Sequence, residues 1–269
     1  MYYHYTTFET FMKIMNGIKI FKGVKCLELR ATRIDKLNDP TEMKISKTQF
    51  IELLIAYEGK YGISQNRSVA KQVASIDESG KICDSERKEH APYITCFSKE
   101  EDFIPMWSLY GDKWHGVCLC FTGEIGSEFF RERGRTLLFG DVAYSNYIES
   151  DSVRRVLQLY YDIINDKCND SIENIIQDMY LGMSPFIKND AYRYESEYRV
   201  CAYNFCAGDS ETYYDCVNDH ISLHVPLKAL QKVVLGTKLP KGITEEIIEL
   251  YFEKEKYNIK IERSKIPFR

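Results

Sequence analysis

Tyr2-Tyr3-His4-Tyr5-Thr6-Thr7-Phe8-Glu9-Thr10-Phe11-Met12-Lys13-Ile14-Met15-Asn16-Gly17 opens the chain and decides how the rest is read. Residues 2–5 are dominated by aromatics and read as a short strand. Phe8, Phe11, Met12 and Met15 then recur at helical spacing, which predicts a helix over Phe8–Asn16. Thr6 or Thr7 caps it, Glu9 stands three residues after Thr6 as in a capping box, and Gly17 is the stop. Farther on, Leu27 and Leu29 alternate with Glu28 and Arg30, so Cys26–Thr32 reads as a second strand.

Outward from this strand–helix–strand start, Asn38-Asp39-Pro40 is a turn leading into a helix from about residue 41 to 58. Residues 59–90 are polar and without firm pattern, helical in part or an insert. Strands are expected at Tyr93–Phe97, Gly116–Phe121, Leu137–Tyr144, Glu197–Cys206, His220–Val225, Val233–Leu235 and Ile259–Ile261. A short helix or turn surrounds Pro105-Met106-Trp107. Further helices are expected near 123–133, from Ser152 to about Met183, and from Thr244 to about Lys256. Strands and helices do not alternate strictly. This predicts an α+β fold, with a mixed or antiparallel sheet core and flanking helices, rather than a doubly wound parallel sheet. No stretch rich in Pro, Gly or Ser divides the chain. Residues 1–269 are therefore read as one domain with a polar insert near 59–90 and a helical block near 150–190.

Composition narrows the function classes. The 269 residues are 44% hydrophobic, enough for a core. No window of about 18 apolar residues suggests a membrane span. The first five residues lack a basic and then apolar run, so a cytoplasmic chain without a signal peptide is expected. The net charge is −4 and the charges are interspersed, which disfavours a broad phosphate-binding surface for duplex nucleic acid. Nine cysteines include no C-x-x-C pair, so reduced thiols are expected and a zinc site is not. Cys118 and Cys120, two apart, face one side of a strand. The Gly-rich nucleotide, zinc-protease and α/β-hydrolase signatures are all absent.

Six short motifs carry the polar chemistry. Tyr3-His4-Tyr5-Thr6 places a His at a strand end, beside the free N–H groups of a helix start. Leu37-Asn38-Asp39-Pro40-Thr41-Glu42 is explained by its turn alone. Cys96-Phe97-Ser98 precedes Met106-Trp107-Ser108-Leu109-Tyr110, in which Trp107 and Tyr110 share a helix face as core or as the floor of a pocket. His115-Gly116-Val117-Cys118 leads into the apolar strand. Tyr194-Glu195-Ser196-Glu197-Tyr198-Arg199-Val200 puts two carboxylates and a guanidinium on one face of a beginning strand. They form either a network able to shift a carboxyl pKa or an exposed charge ladder of small energetic weight.

Taken in order, these motifs resemble the bacterial family known as domain of unknown function 2971, over roughly residues 2 to 236. More distantly, the chain resembles NAD-dependent ADP-ribosyltransferases. These open with a His-bearing strand, a helix, a Gly and a second strand, and place a Glu at the start of a late strand. That resemblance implies His4 as ribose ligand and a catalytic set of Glu197, Glu195 and His4. It implies NAD, as substrate, held by His4, Tyr5, Thr6, Arg30, Tyr110, Trp107 and Arg199. Tyr110 is its candidate aromatic, with Tyr93 and Tyr144 as competitors, and Arg30 and Arg199 would meet the pyrophosphate or fix the carboxylates. The implied activity is transfer of ADP-ribose to a macromolecular acceptor, or hydrolysis of NAD, as in bacterial toxins and defence effectors. A non-catalytic module that senses a nucleotide or binds a protein is the alternative. A metal-dependent nuclease using Asp39, Glu42, Glu195 and Glu197 is a weaker one.

Overall fold

The structure, a computed structural model, describes residues 1–37, 45–75, 91–130, 135–165, 171–204 and 219–267. The opening segment forms strand β1 (Tyr2–Thr6) and helix α1 (Phe8–Asn16). Thr7 is the N-cap, accepting from the Thr10 N–H, and Glu9 pairs with Lys13 at 2.6 Å. The expected box on Thr6 is therefore replaced by a simple Thr7 cap. A hairpin follows that the alternation of β3 alone did not announce. Strands β2 (Lys19–Phe21) and β3 (Val24–Arg33) turn through Lys22 and Gly23, both at positive φ, 47° and 79°. Two such residues in a two-residue loop match the strand twist.

Strands β4 (Tyr93–Ser98), β5 (Val117–Phe121), β6 (Arg135–Asp141), β7 (Glu197–Asn204), β8 (His220–Pro226), β9 (Leu230–Leu235) and β10 (Lys260–Arg263) complete one mixed sheet. Its pairings are antiparallel except for β9 with β10. The architecture is α+β, with the sheet curled and flanked by helices. β4 is where the sheet branches. One edge pairs with β7 over its whole length. The other edge meets β3 only at Tyr93 and Ile94, and β1 only at Ser98.

Helices α2 (Lys47–Tyr61), α3 (Val69–Ser75), α4 (Ile104–Leu109), α5 (Ile125–Glu128), α6 (Asp151–Asn165), α7 (Ile172–Met183) and α8 (Ile243–Lys254) cover the sheet. α2 starts at Lys47, not near 41, because Ser46 and Gln49 cap it reciprocally. The turn at Asn38–Glu42 lies outside the described residues, as does 76–90 of the expected insert. The described part of that insert is helical in part, as one of the two expectations had it, and Val69, Ala70 and Val73 of α3 are core rather than polar surface. Glu58 of α2 ties three helices together. It accepts from Ser68 Oγ at 2.6 Å, from the Ala70 N–H at 2.9 Å and from Tyr161 Oη of α6 at 2.6 Å. The single helix expected over 152–183 is two, α7 beginning behind its own cap, Ser171. The helix expected near 123–133 shrinks to α5, and β6 ends at Asp141 rather than Tyr144. Among the described residues no helix is long and apolar enough to cross a membrane.

One sheet face carries the largest core, joining Phe11 of α1, Leu29, Leu119, Val200 and Phe252 of α8. The opposite face is divided. Over β4, β7 and β6 lies a core with α2, α3, α6 and α7. Over β1, β5 and β9 lies a smaller one containing Tyr3, Tyr5, Trp107, Cys118 and Cys120, the two cysteines facing one side as their spacing requires. Cys26, Cys96, Cys118, Cys120 and Cys201 are free thiols. The Gly111–Gly116 turn ends α4 beside that smaller core. Asp112, Lys113 and Trp114 stand at φ of 47°, 50° and 69°, a conformation non-glycine residues adopt at a cost. Backbone bonds Gly116 N to Gly111 O (3.0 Å) and Lys238 N to Trp114 O (3.1 Å) hold it.

Candidate functional site

The seam between the two divided cores is a cavity. Its interior is about 140 Å³, or about 660 Å³ with the solvent-open mouth included. The first value is below the roughly 300–1,000 Å³ of pockets that engulf a drug-sized ligand. The interior therefore takes a fragment, and a larger ligand must extend into the mouth. Its lining includes Tyr3 and Tyr5 of β1, Met106 and Tyr110 of the α4 segment, Cys96 of β4, and Lys188, Tyr192, Glu195, Glu197 and Arg199. His4 lines it too, in the gap where β1 departs from β4.

His4 is fixed by β4. Its Nδ1 lies 2.9 Å from the Cys96 carbonyl oxygen, and a carbonyl only accepts, so Nδ1 carries the proton. Burial, opposed by that bond, pushes the imidazole pKa down. The ring is thus neutral at pH 7, with Nε2 as an acceptor suited to a hydroxyl. Tyr5 lines the cavity while its hydroxyl donates to Glu100 O and accepts from the Phe103 N–H.

The two carboxylates are buried, Glu195 being 3% and Glu197 5% exposed, so an exposed ladder is excluded. Arg199, fully buried, donates from Nε to Glu197 Oε1 at 2.8 Å and from Nη2 to Oε2 at 3.0 Å, and from Nη1 to Pro185 O at 2.7 Å. Lys188 Nζ reaches Glu195 Oε2 at 2.6 Å and Glu197 Oε2 at 3.1 Å. Tyr110 Oη donates to Glu195 Oε1 at 2.9 Å. Burial alone would raise the Glu197 pKa. Arg199 and then Lys188 outweigh it and hold the carboxyl at about 2. Lys188 moves up despite its burial, chiefly through Glu197. Tyr110 is pushed up by burial and by Glu195, and Cys96 by burial and by Glu197, so both keep their protons.

The expected strand geometry is half of this. β7 begins at Glu197, and Glu197 and Arg199 do share a face. Glu195 instead ends a 3-10 turn, Asp190–Glu195, and Ser196 is left-handed at φ 45°, ψ 52°. What joins Glu195 to Glu197 is Lys188, a residue the sequence reading missed. Lys188 arrives through a tertiary contact: Ile187 bridges Ala143, and Lys188 N donates to Ala143 O at 3.0 Å. No local pattern signals that placement. Tyr192, also missed, puts its ring 4.7 Å from Lys188 Nζ.

Other expected contacts are absent from the cavity. Trp107 is fully buried in the smaller core, edge-on to Tyr5, with Nε1 donating to Asp102 Oδ1 at 2.8 Å. Arg30 projects away and donates to His220 Nε2 at 2.7 Å. Thr6 does not line the cavity; it is paired with Val117 in the sheet. Arg199 does line the cavity, and of its two expected roles it takes that of fixing a carboxylate, Glu197. Among the three tyrosines considered for stacking, Tyr110 lines the cavity. Tyr93 belongs to the main core, and Tyr144 Oη accepts from the Glu197 N–H at 2.9 Å. Glu195 and Glu197 are each already paired with a cation, whereas a two-metal site needs carboxylates open to the ions. Asp39 and Glu42 lie outside the described residues. Among the described residues no group of three or more His, Cys, Asp or Glu is placed to hold a metal.

No curated protein and no solved structure matches the chain. Residues 106–200, which include Tyr110, Lys188, Glu195, Glu197 and Arg199, match the family described as Protein of unknown function (DUF2971), and the family resemblance read from the motifs is supported over that segment.

Proposed function

We propose that the cavity receives the nicotinamide–ribose end of NAD and that the protein cleaves the bond between them, passing ADP-ribose to a macromolecular acceptor or to water. The observation that carries this reading is that His4 and Glu197, from distant parts of the chain, line one cavity together with the ring of Tyr110. When the C1′–N bond breaks, nicotinamide leaves with the bonding pair and the ribose gains positive charge. A carboxylate fixed beside it stabilises that charge. His4 Nε2 is an acceptor for a ribose hydroxyl, and Tyr110 offers an aromatic face. The volume suits this end alone, leaving the adenosine side in the mouth.

Incubation with NAD labelled in its nicotinamide tests the reading. Release of label is expected, falling about 10²–10³-fold in Glu197→Gln, the scale of losing one preorganised electrostatic group. No release, with Glu197→Gln indistinguishable from the parent, overturns it. One observation favours a second reading, a nucleotide-binding module without turnover: both Glu197 oxygens are already held by Arg199 and Lys188. Calorimetric binding of NAD without release of label is its signature.

A further inference from the structure

We infer that Lys188 is the positioning residue of this cavity, the cation that lets two buried carboxylates on separate elements stand side by side as anions. One nitrogen lies within hydrogen-bond distance of Glu195 Oε2, on the 3-10 turn, and of Glu197 Oε2, on β7. Its side chain and both carboxylates are nearly sealed from water. Arg199 holds Glu197 through two bonds and the Pro185 carbonyl oxygen through a third. Without Lys188, Glu195 would keep the Tyr110 hydroxyl, a neutral donor, beside a second negative charge. Two like charges in one dry site do not both stay ionised; the pair takes up a proton. The 2.9 Å Tyr110 bond and the placement of the turn against β7 then lose their ionic anchor.

The groups facing Lys188 come from every element around it. They include Glu197 and Arg199 from β7, Glu195, Tyr192 and Tyr194 from the turn, Tyr144 from the segment after β6, Tyr110 from the end of α4, and Cys96 from β4. Burial and Glu197 keep the Cys96 thiol protonated, and burial with Glu195 does the same for Tyr110. The group that changes state on loss of Lys188 is therefore a carboxyl.

This inference rests on the geometry of the charged cluster and stands whether or not NAD is the ligand. It is tested on the intact chain without any ligand, by melting temperature against pH. In Lys188→Met the folded protein holds a proton that the unfolded chain releases, so its stability recovers as pH falls. The gap in melting temperature from the parent is widest near about pH 8 and shrinks steadily toward about pH 5, above the ordinary Glu pKa. Lys188→Arg, which keeps the charge, runs parallel to the parent. Adding Glu195→Gln to Lys188→Met removes the surplus charge and restores part of the lost melting temperature, and this double variant also answers the question if Lys188→Met alone does not fold. A Lys188→Met gap independent of pH, or a double variant no more stable than Lys188→Met, overturns the inference, because a purely packing role for the lysine stem would give those results.

Discussion

His4 and Arg199 meet the same residue of β4 from its two edges. His4 bonds the Cys96 carbonyl, and Arg199 is the register partner of Cys96 on β7. The branching of the sheet at β4 is what makes this possible. β1 leaves β4 after a single pairing at Ser98, and the imidazole fills the gap that opens.

Acid should unfold the protein partly through Glu197. Its folded pKa, about 2, lies below the ordinary Glu value of about 4.3. A depressed carboxyl contributes stability that is present above the unfolded value and is lost as pH falls toward the folded one. The contribution is on the order of 3 kcal/mol. Chemical denaturation between about pH 6 and pH 2.5 should show a steeper loss for the parent than for Glu197→Gln. Equal slopes would place the acid sensitivity elsewhere.

Tyr110 separates a ring from a hydroxyl. Tyr110→Phe loses the bond to Glu195 and should cost about 1 kcal/mol of stability. Tyr110→Ala also removes the aromatic face and should raise the KM for NAD about tenfold over that of Tyr110→Phe, from loss of roughly 1.4 kcal/mol of ring contact. The same KM in both variants would show that the ring does not touch the ligand.

Gly116 has no room for a side chain. A Cβ there would stand 2.2 Å from the Thr6 carbonyl oxygen and 2.8 Å from Gly111 O. Gly116→Ala should therefore destabilise by about 2–3 kcal/mol in urea titrations. Gly123→Ala, whose Cβ would meet only Met1 N at 3.9 Å, should stay within about 0.5 kcal/mol.

Glu58 should be needed as an acceptor. Glu58→Ala strands the Tyr161 hydroxyl, Ser68 and the Ala70 N–H in the interface of α2, α3 and α6, for a cost of about 2–4 kcal/mol. Glu58→Gln keeps one carbonyl oxygen, and Ser68 can turn to accept, so thermal melts should show a smaller loss. Similar losses would mean that the charge, not the acceptor count, matters there.

What was legible in the sequence is what local pattern encodes. Alternation marked β3 and β7, the apolar run marked β5, and helical spacing marked α1. Face-sharing put Glu197 with Arg199. Patterns of this kind do not say which face meets which neighbour. Arg30 and Glu28 alternate with Leu27 and Leu29 as read, yet β8, not a cavity, is what Arg30 meets. Trp107 and Tyr110, three apart, were one choice between core and pocket, and the turn after α4 divided it: Trp107 is packed and Tyr110 is open to the cavity. Lys188 was invisible because its place depends on Ala143, far away in sequence, and on the left-handed Ser196 that re-aims Glu195. The β2 hairpin rested on Lys22-Gly23, a two-residue signal too short to stand out.

The branching of β4 also bears on when the cavity can exist during folding. Its walls come from residues 3–5, Leu37, 96–98, 106–110 and 188–199, so no short contiguous piece holds a complete wall set. Pairings as remote as Ser98 with Glu197 must close before His4 and Glu197 face one another. Contacts of such long sequence separation form slowly. A nascent chain, or a fragment cut to residues 106–200, would therefore be inert toward any ligand of this cavity, and binding would appear only when the last-made strands have joined.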